Sequence, residues 1–204
     1  MKQTHAHWMD TAQNPINVTT SIAVNTEQQR AALSEFDDIV VVGNDRRGPA
    51  YATNCLTQRM RGEPSDIVIL VSDDFFSPPK WDAWLIKTFS DFDGAIVVDD
   101  SYQREPCITI PIMTYSTLLK LNRIVYHPSY TWQYADTELF TNLKELKCLR
   151  DLRNDKSAPI FEHRHWANNK RQMDANDKPG LDAGGLDEHN VRLRMKMPLA
   201  KRLS

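Results

Sequence analysis

Two neighbouring carboxylates, Asp73 and Asp74, stand one serine beyond DIVILV (66–71), a run that is apolar at every position from Ile67 to Val71. A strand without polar alternation is buried on both faces, as in a mainly parallel sheet covered by helices. In open sheets of that kind, ligands bind beyond the carboxyl ends of the strands, which is where this pair falls. Adjacent carboxylates repel, so a fold keeps them beside a buried strand mainly where a cation or several hydrogen-bond donors offset the charge. Their oxygens suit Mg²⁺ or Mn²⁺, which can bridge onward to phosphate oxygens. The plainer use of such a pair is to cap the next helix or to face water in a turn. Asp99 and Asp100 repeat the pattern after AIVV (95–98); they bind a second reactant at the same edge or are simply solvated.

The elements that must position these groups follow from the hydrophobic pattern. TSIAV (20–24) and IVVV (39–42) are short β-branched runs, the second closed by Gly43 and Asn44. After Asp45, Arg46, Arg47 and Gly48, Pro49 takes the place of a first helical residue. Apolar and small residues then recur to Met60, and Gly62 supplies the stop. FFSPP (75–79) cannot continue a ladder, since both prolines lack the N–H. A helix is predicted from Trp81 to Phe89, with Asp82 as its cap and Trp81 walling the site. A strand at 95–98, an extended run at 108–114 and a short helix at 115–121 come next. Leu139, Leu143, Leu146 and Leu149 predict an amphipathic helix over 136–149, and IFEHRHW (160–166) a last short strand. Strand–helix alternation over residues 1–166 predicts an α/β three-layer domain with a mainly parallel central sheet. Residues 167–190 are polar and rich in Gly and Asn, which predicts a long loop, poorly ordered until substrates bind. With the basic segment VRLRMKMPLAKRLS, read as a helix packing Val191, Leu193, Met195 and Met197, they form a tail over 167–204.

Composition limits the function classes. In 204 residues, 41% hydrophobic and 25% charged content are ordinary globular values, and the net charge of −2 gives no general attraction to nucleic acid or anionic membranes. Three widely spaced cysteines, Cys55, Cys107 and Cys148, read as reduced thiols of a cytoplasmic protein. MKQTHAHWMD has no apolar signal core and no 18-residue apolar run occurs, so neither secretion nor a transmembrane segment is expected.

VSDDFFSPPKWDAWL (71–85) resembles the donor-site stretch of family-two-like GT-A glycosyltransferases, the nucleotide-diphospho-sugar transferases, in which an apolar strand ends in an acidic DXD-type motif. VVGNDRRGPAYATN (41–54) resembles the family's strand, Gly-rich turn and helix beside the donor nucleotide. YADTELF (134–140) resembles the segment carrying the catalytic base of inverting members, and FEHRHW (161–166) the late segment whose histidine completes a metal site.

Carried over residue by residue, the resemblance implies Asp74 as a direct ligand of Mn²⁺ or Mg²⁺, with His165 or His163 as the distal ligand. Asp73 would bind the donor ribose or the metal. Gly48, Asn54 and Arg46, with Arg47 beside it, would lie near the nucleotide-sugar, a UDP-sugar being the expected donor. Asp136 would take the proton from an acceptor hydroxyl; read without the resemblance, it serves equally as a helix N-cap. The activity implied is sugar transfer at the anomeric carbon. A non-catalytic binding or scaffold module is the alternative, as is nucleotidyl transfer, though the Gly-rich loop with a following Lys that marks the latter is not present. The family pattern also places a strand between TSIAV and DIVILV that this chain does not show before Trp8. Two outcomes are expected: those strands pair directly, or another segment inserts, as from a second copy in a homodimer.

Overall fold

In the computed structural model the described residues are 1–36, 38–43, 48–103, 105–165, 172 and 178–203, with backbone alone described at 178–183. The chain opens with α1 (Lys2–Thr11) and a 3₁₀ turn at Pro15–Asn17, then β1 (Ser21–Val24), α2 (Glu27–Ala31) and β2 (Asp38–Val41). Helix α3 (Gly48–Arg59) leads to β3 (Ile67–Ile69), β4 (Phe75–Phe76) and α4 (Trp81–Phe89). Strands β5 (Ala95–Val97) and β6 (Ile112–Thr114) precede α5 (Tyr115–Lys120), α6 (Ala135–Glu145), β7 (Leu149–Asp151) and β8 (Glu162–His163). Helices α7 (Lys178–Arg194) and α8 (Leu199–Arg202) end the described chain.

The architecture is α/β, but its sheets are mixed rather than mainly parallel. The four-stranded sheet runs β3-β6-β5-β7, and only β5 and β7 are parallel. The cause is the connection between β5 and β6, residues 98–111, which holds no crossover helix, so β6 returns antiparallel. β5 and β7 are separated by α5 and α6 and run the same way. Strand residues alternate between two cores. Val68, Ala95, Val97 and Met113 pack with Leu118, Leu139 and Leu143 of α5 and α6. Ile96 and Ile112 pack on the other face with Trp8, Trp81, Leu85 and Phe161. Helices therefore cover both faces, as the unbroken apolar strands require. Val71, past the end of β3, is 42% exposed.

Among the described residues β1 pairs, in parallel, only with β2, and β3 only with β6. Among the described residues, direct pairing of β1 with β3, one of the two expected outcomes, is not the arrangement found.

Three local expectations are corrected. The helix predicted over 136–149 ends at Glu145, because Lys147 takes a left-handed φ of 57°, which terminates helices. Leu149 then opens β7. Asp82 is not the cap of α4, a position held by Lys80 at φ 59°; its carboxylate accepts the N–H groups of Gln13 (2.7 Å) and Asn14 (2.7 Å), tying the end of α1 to α4. Residues 178–194, expected as the end of a loop and the start of the basic tail, are helical in α7. Buried contacts from Asp187, Val191 and Arg194 supply what the poor local propensity lacks. Leu193 is 47% and Met197 40% exposed, so of the four apolar tail residues only Val191 and Met195 pack inward. The remainder of the expected loop falls largely outside the described residues.

Candidate functional site

The turn after β3 carries Asp73 and Asp74. Its backbone closes through Phe75 N–H to Ser72 O (3.3 Å), and the Ser72 hydroxyl donates to the Asp74 carboxylate. β4 follows at once and pairs antiparallel with β8, setting Phe75 opposite His163. That register delivers a residue 89 positions later onto the turn: His163 Nε2 lies 3.3 Å from Asp74 Oδ2. The Phe75 ring stacks on the imidazole at 4.0 Å between centroids and 13° between planes, fixing its orientation. The Arg164 N–H donates to Asp74 O (2.8 Å), so the two segments are bonded through backbone as well.

Behind His163 stands Asp100, fully buried, with Oδ2 3.7 Å from Nδ1. Its carboxylate accepts the N–H groups of Tyr102 (2.9 Å) and Gln103 (2.7 Å) and the Thr109 hydroxyl (2.8 Å). Asp100 is thus neither solvated nor open to a second reactant; it is a structural carboxylate backing the imidazole. Burial alone would raise the Asp74 carboxyl, but the His163 and Ser72 hydrogen bonds outweigh it and hold the group at about 2. Burial would lower the His163 imidazole, yet Asp100 and Asp74 together push it above its ordinary value. Both shifts favour the charged forms, a carboxylate at Asp74 beside an imidazolium at His163. His165 lies against His163 (centroids 5.1 Å) and the Tyr102 ring (6.3 Å) at the rim.

Asp73 points outward, its side chain 63% exposed, while its carbonyl accepts the Thr4 hydroxyl of α1 (2.5 Å). Asp136 sits in the first turn of α6 and takes the Thr137 N–H (2.8 Å). It is not the N-cap, a position held by Tyr134 with φ 62°. Burial raises the Asp136 carboxyl despite that bond and a second from the Cys107 thiol. Burial, with the Asp136 and Asp100 carboxylates, pushes the Cys107 thiol well above its ordinary range.

The upstream candidates have other employment. Asn54 is buried, its carbonyl accepting the N–H groups of Val125 (3.0 Å) and Tyr126 (3.2 Å) while its amide donates to Tyr126 O (2.6 Å). Gly48 opens α3 at φ +69°, and a Cβ there would fall 2.2 Å from Thr131 O, so the position requires glycine for close backbone approach. Arg46, with Arg47, lies outside the described residues. Trp81 is core: it is 5% exposed and its Nε1 donates to Trp8 O (2.9 Å).

Tyr102, Phe75 and Thr109 are members of the site that the sequence reading passed over. For Phe75 a signal existed: two short aromatic segments, DDFF and FEHRHW, able to pair face to face. For Tyr102 and Thr109 none did, since both come from the 98–111 excursion.

Two donors 3.3 Å apart can share one cation at metal–ligand distances of roughly 2.1 Å. Among the described residues no set of three His, Cys, Asp or Glu side chains converges on a point that would hold an ion. A cation at Asp74 and His163 would therefore complete its shell with substrate oxygens and water, the usual habit of Mg²⁺. No helix among the described residues is long and apolar enough to cross a membrane. Compared with protein-family models, curated proteins and solved structures, the chain matches none.

Proposed function

We propose that the chain is a metal-dependent glycosyltransferase with a GT-A-like three-layer fold, moving a sugar from a UDP-sugar to an acceptor hydroxyl. The observation that carries this reading is the meeting of Asp74 and His163 at the end of an apolar strand, from the two segments whose resemblance implied a shared metal. In the proposed site Asp74 and His163 hold Mn²⁺ or Mg²⁺, His165 lines the rim, and Asp73 faces the donor ribose. A cation held there would supply positive charge against the leaving diphosphate. Asp100 behind Nδ1 keeps Nε2 turned toward Asp74, the arrangement of a carboxylate backing a ligating imidazole. Asp136 takes the acceptor proton, and its raised pKa brings it closer to the operating pH, where a general base is most effective. Gly48 lets the chain turn tightly at the start of α3, and Arg46 would bring a cation to the diphosphate. Asn54, with its amide committed to Val125 and Tyr126, has no part in this reading.

One observation favours a non-catalytic binding module: the β1/β2 pair shares no ladder with the four-stranded sheet. Incubation of the purified chain with a panel of UDP-sugars and Mn²⁺ separates the two. UDP release from at least one donor, stopped by EDTA, is expected; no release from any sugar nucleotide would leave the binding module standing.

A further inference from the structure

Helix α7 reaches the segment that precedes α6 with one face. Asp187, fully buried, accepts three consecutive backbone N–H groups, those of Thr131 (3.0 Å), Trp132 (2.8 Å) and Gln133 (2.8 Å). Asn190 donates to Ser129 O (2.7 Å). Arg194 grips Glu138 in α6 through Nε (2.8 Å) and a second guanidinium nitrogen (2.8 Å), and the Tyr130 hydroxyl donates to the same carboxylate (2.6 Å). Positions 187, 190 and 194 are spaced three and four apart, so they share one side of the helix. Between the Asp187 and Arg194 anchors lies the first turn of α6, with Asp136 in it. That turn covers Cys107: the Ile108 N–H donates to Asp136 O (3.4 Å), and burial together with the Asp136 carboxylate pushes the thiol up.

We infer that α7 is a clamp that positions Asp136, with Asp187 as the positioning residue that fixes the 131–133 backbone from which α6 starts. Three successive N–H groups aimed at one carboxylate define where the chain enters the helix. Without that charge they have no buried acceptor, and the turn carrying Asp136 loosens while the sheet beneath is untouched. Asp187 touches no reactant. The consequence for catalysis rests on the reading of Asp136 as the general base; the mechanical part does not.

Cys107 reports on the clamp directly. It is buried under the α6 turn, whereas Cys148, also buried, lies beside β5 and the far end of α6. In Asp187→Ala, alkylation of Cys107 by N-ethylmaleimide, followed by peptide mass spectrometry, should accelerate roughly ten- to a hundredfold. Cys148 should stay at the wild-type rate. Asp187→Asn, which keeps an acceptor oxygen and the side-chain volume, should fall between the two and also provides the measurement if the alanine variant does not fold. Where transfer activity is measurable, kcat should fall in the same order while the donor KM holds. An unchanged Cys107 rate in both variants would overturn the clamp. So would equal acceleration of Cys107 and Cys148, which would make Asp187 a support of the whole fold. Wild-type protein inactive with every donor would refute the transferase reading, while the thiol rates would still decide the clamp.

Discussion

Asp74→Ala is expected to lose turnover by about 10²–10³-fold or more, the scale seen when one preorganised electrostatic contact to a developing charge is removed. The fold should survive. The side chain bonds Ser72 and His163, while the backbone bonds of the turn, Phe75 N–H to Ser72 O and Arg164 N–H to Asp74 O, do not involve it. Circular dichroism and the urea midpoint should therefore stay near wild type while UDP release disappears. Asp74→Asn retains the shape and one neutral oxygen, and should recover little, because the cation requires the charge. Full activity of Asp74→Ala in excess EDTA would remove both the metal and this carboxylate from the mechanism.

Arg194→Ala should cost about 3–5 kcal/mol of stability, the range for removing one partner of a buried ion pair. Glu138 and Arg194 side chains are 3% and 9% exposed, so the abandoned carboxylate has little water to turn to. The same guanidinium also donates to Arg202 O (2.7 Å), linking α7 to α8. The pH dependence has a definite sign. Burial would raise the Glu138 carboxyl, but Arg194 and Tyr130 hold it below its ordinary value. A depressed folded-state pKa contributes stability above the unfolded value, about 4.3, and loses it as pH falls. Without Arg194 the carboxyl lies above that value and is relieved by protonation. The gap between wild type and variant in urea unfolding should therefore be widest near neutrality and narrow below roughly pH 4. Replacing both Glu138 and Arg194 by Met should restore much of the loss. A single-variant loss under about 1 kcal/mol would show that the pair is solvated in solution.

The legible parts of this protein are those in which local pattern and burial agree. Pro49 inside the start of α3, the five apolar residues from Ile67, and the Trp81–Phe89 helix could be read because capping chemistry and periodicity act within a few residues. The Asp74–His163 contact was legible only through resemblance, since nothing in the spacing of residues 89 apart reports that β4 and β8 pair. Asp100 looked like a surface carboxylate because a strand-end Asp is usually solvated; its three donors arrive from residues 102, 103 and 109, folded back by a loop with no periodic signal. Helix α7 was hidden for the opposite reason. Its sequence, with Gly180, Gly184 and Gly185, argues against a helix, and the contacts that override this are tertiary. Two of the five basic groups of the tail, Arg194 and Arg202, are buried against Glu138, Asn142 and Glu145, contacts that no local pattern reports.

The central claim is that Asp74 and His163 bind a divalent cation together with a nucleoside diphosphate. Mn²⁺ is paramagnetic, so titrating it into the protein with UDP and following the six histidine imidazole signals by NMR tests this without an acceptor or a known sugar. His163 should broaden first and His165 next, at Mn²⁺ concentrations that leave His5, His7, His127 and His189 sharp. UDP should strengthen the effect, and Asp74→Ala should abolish it. Uniform broadening of all six, or a His163 signal that stays sharp while UDP binds, would contradict the account.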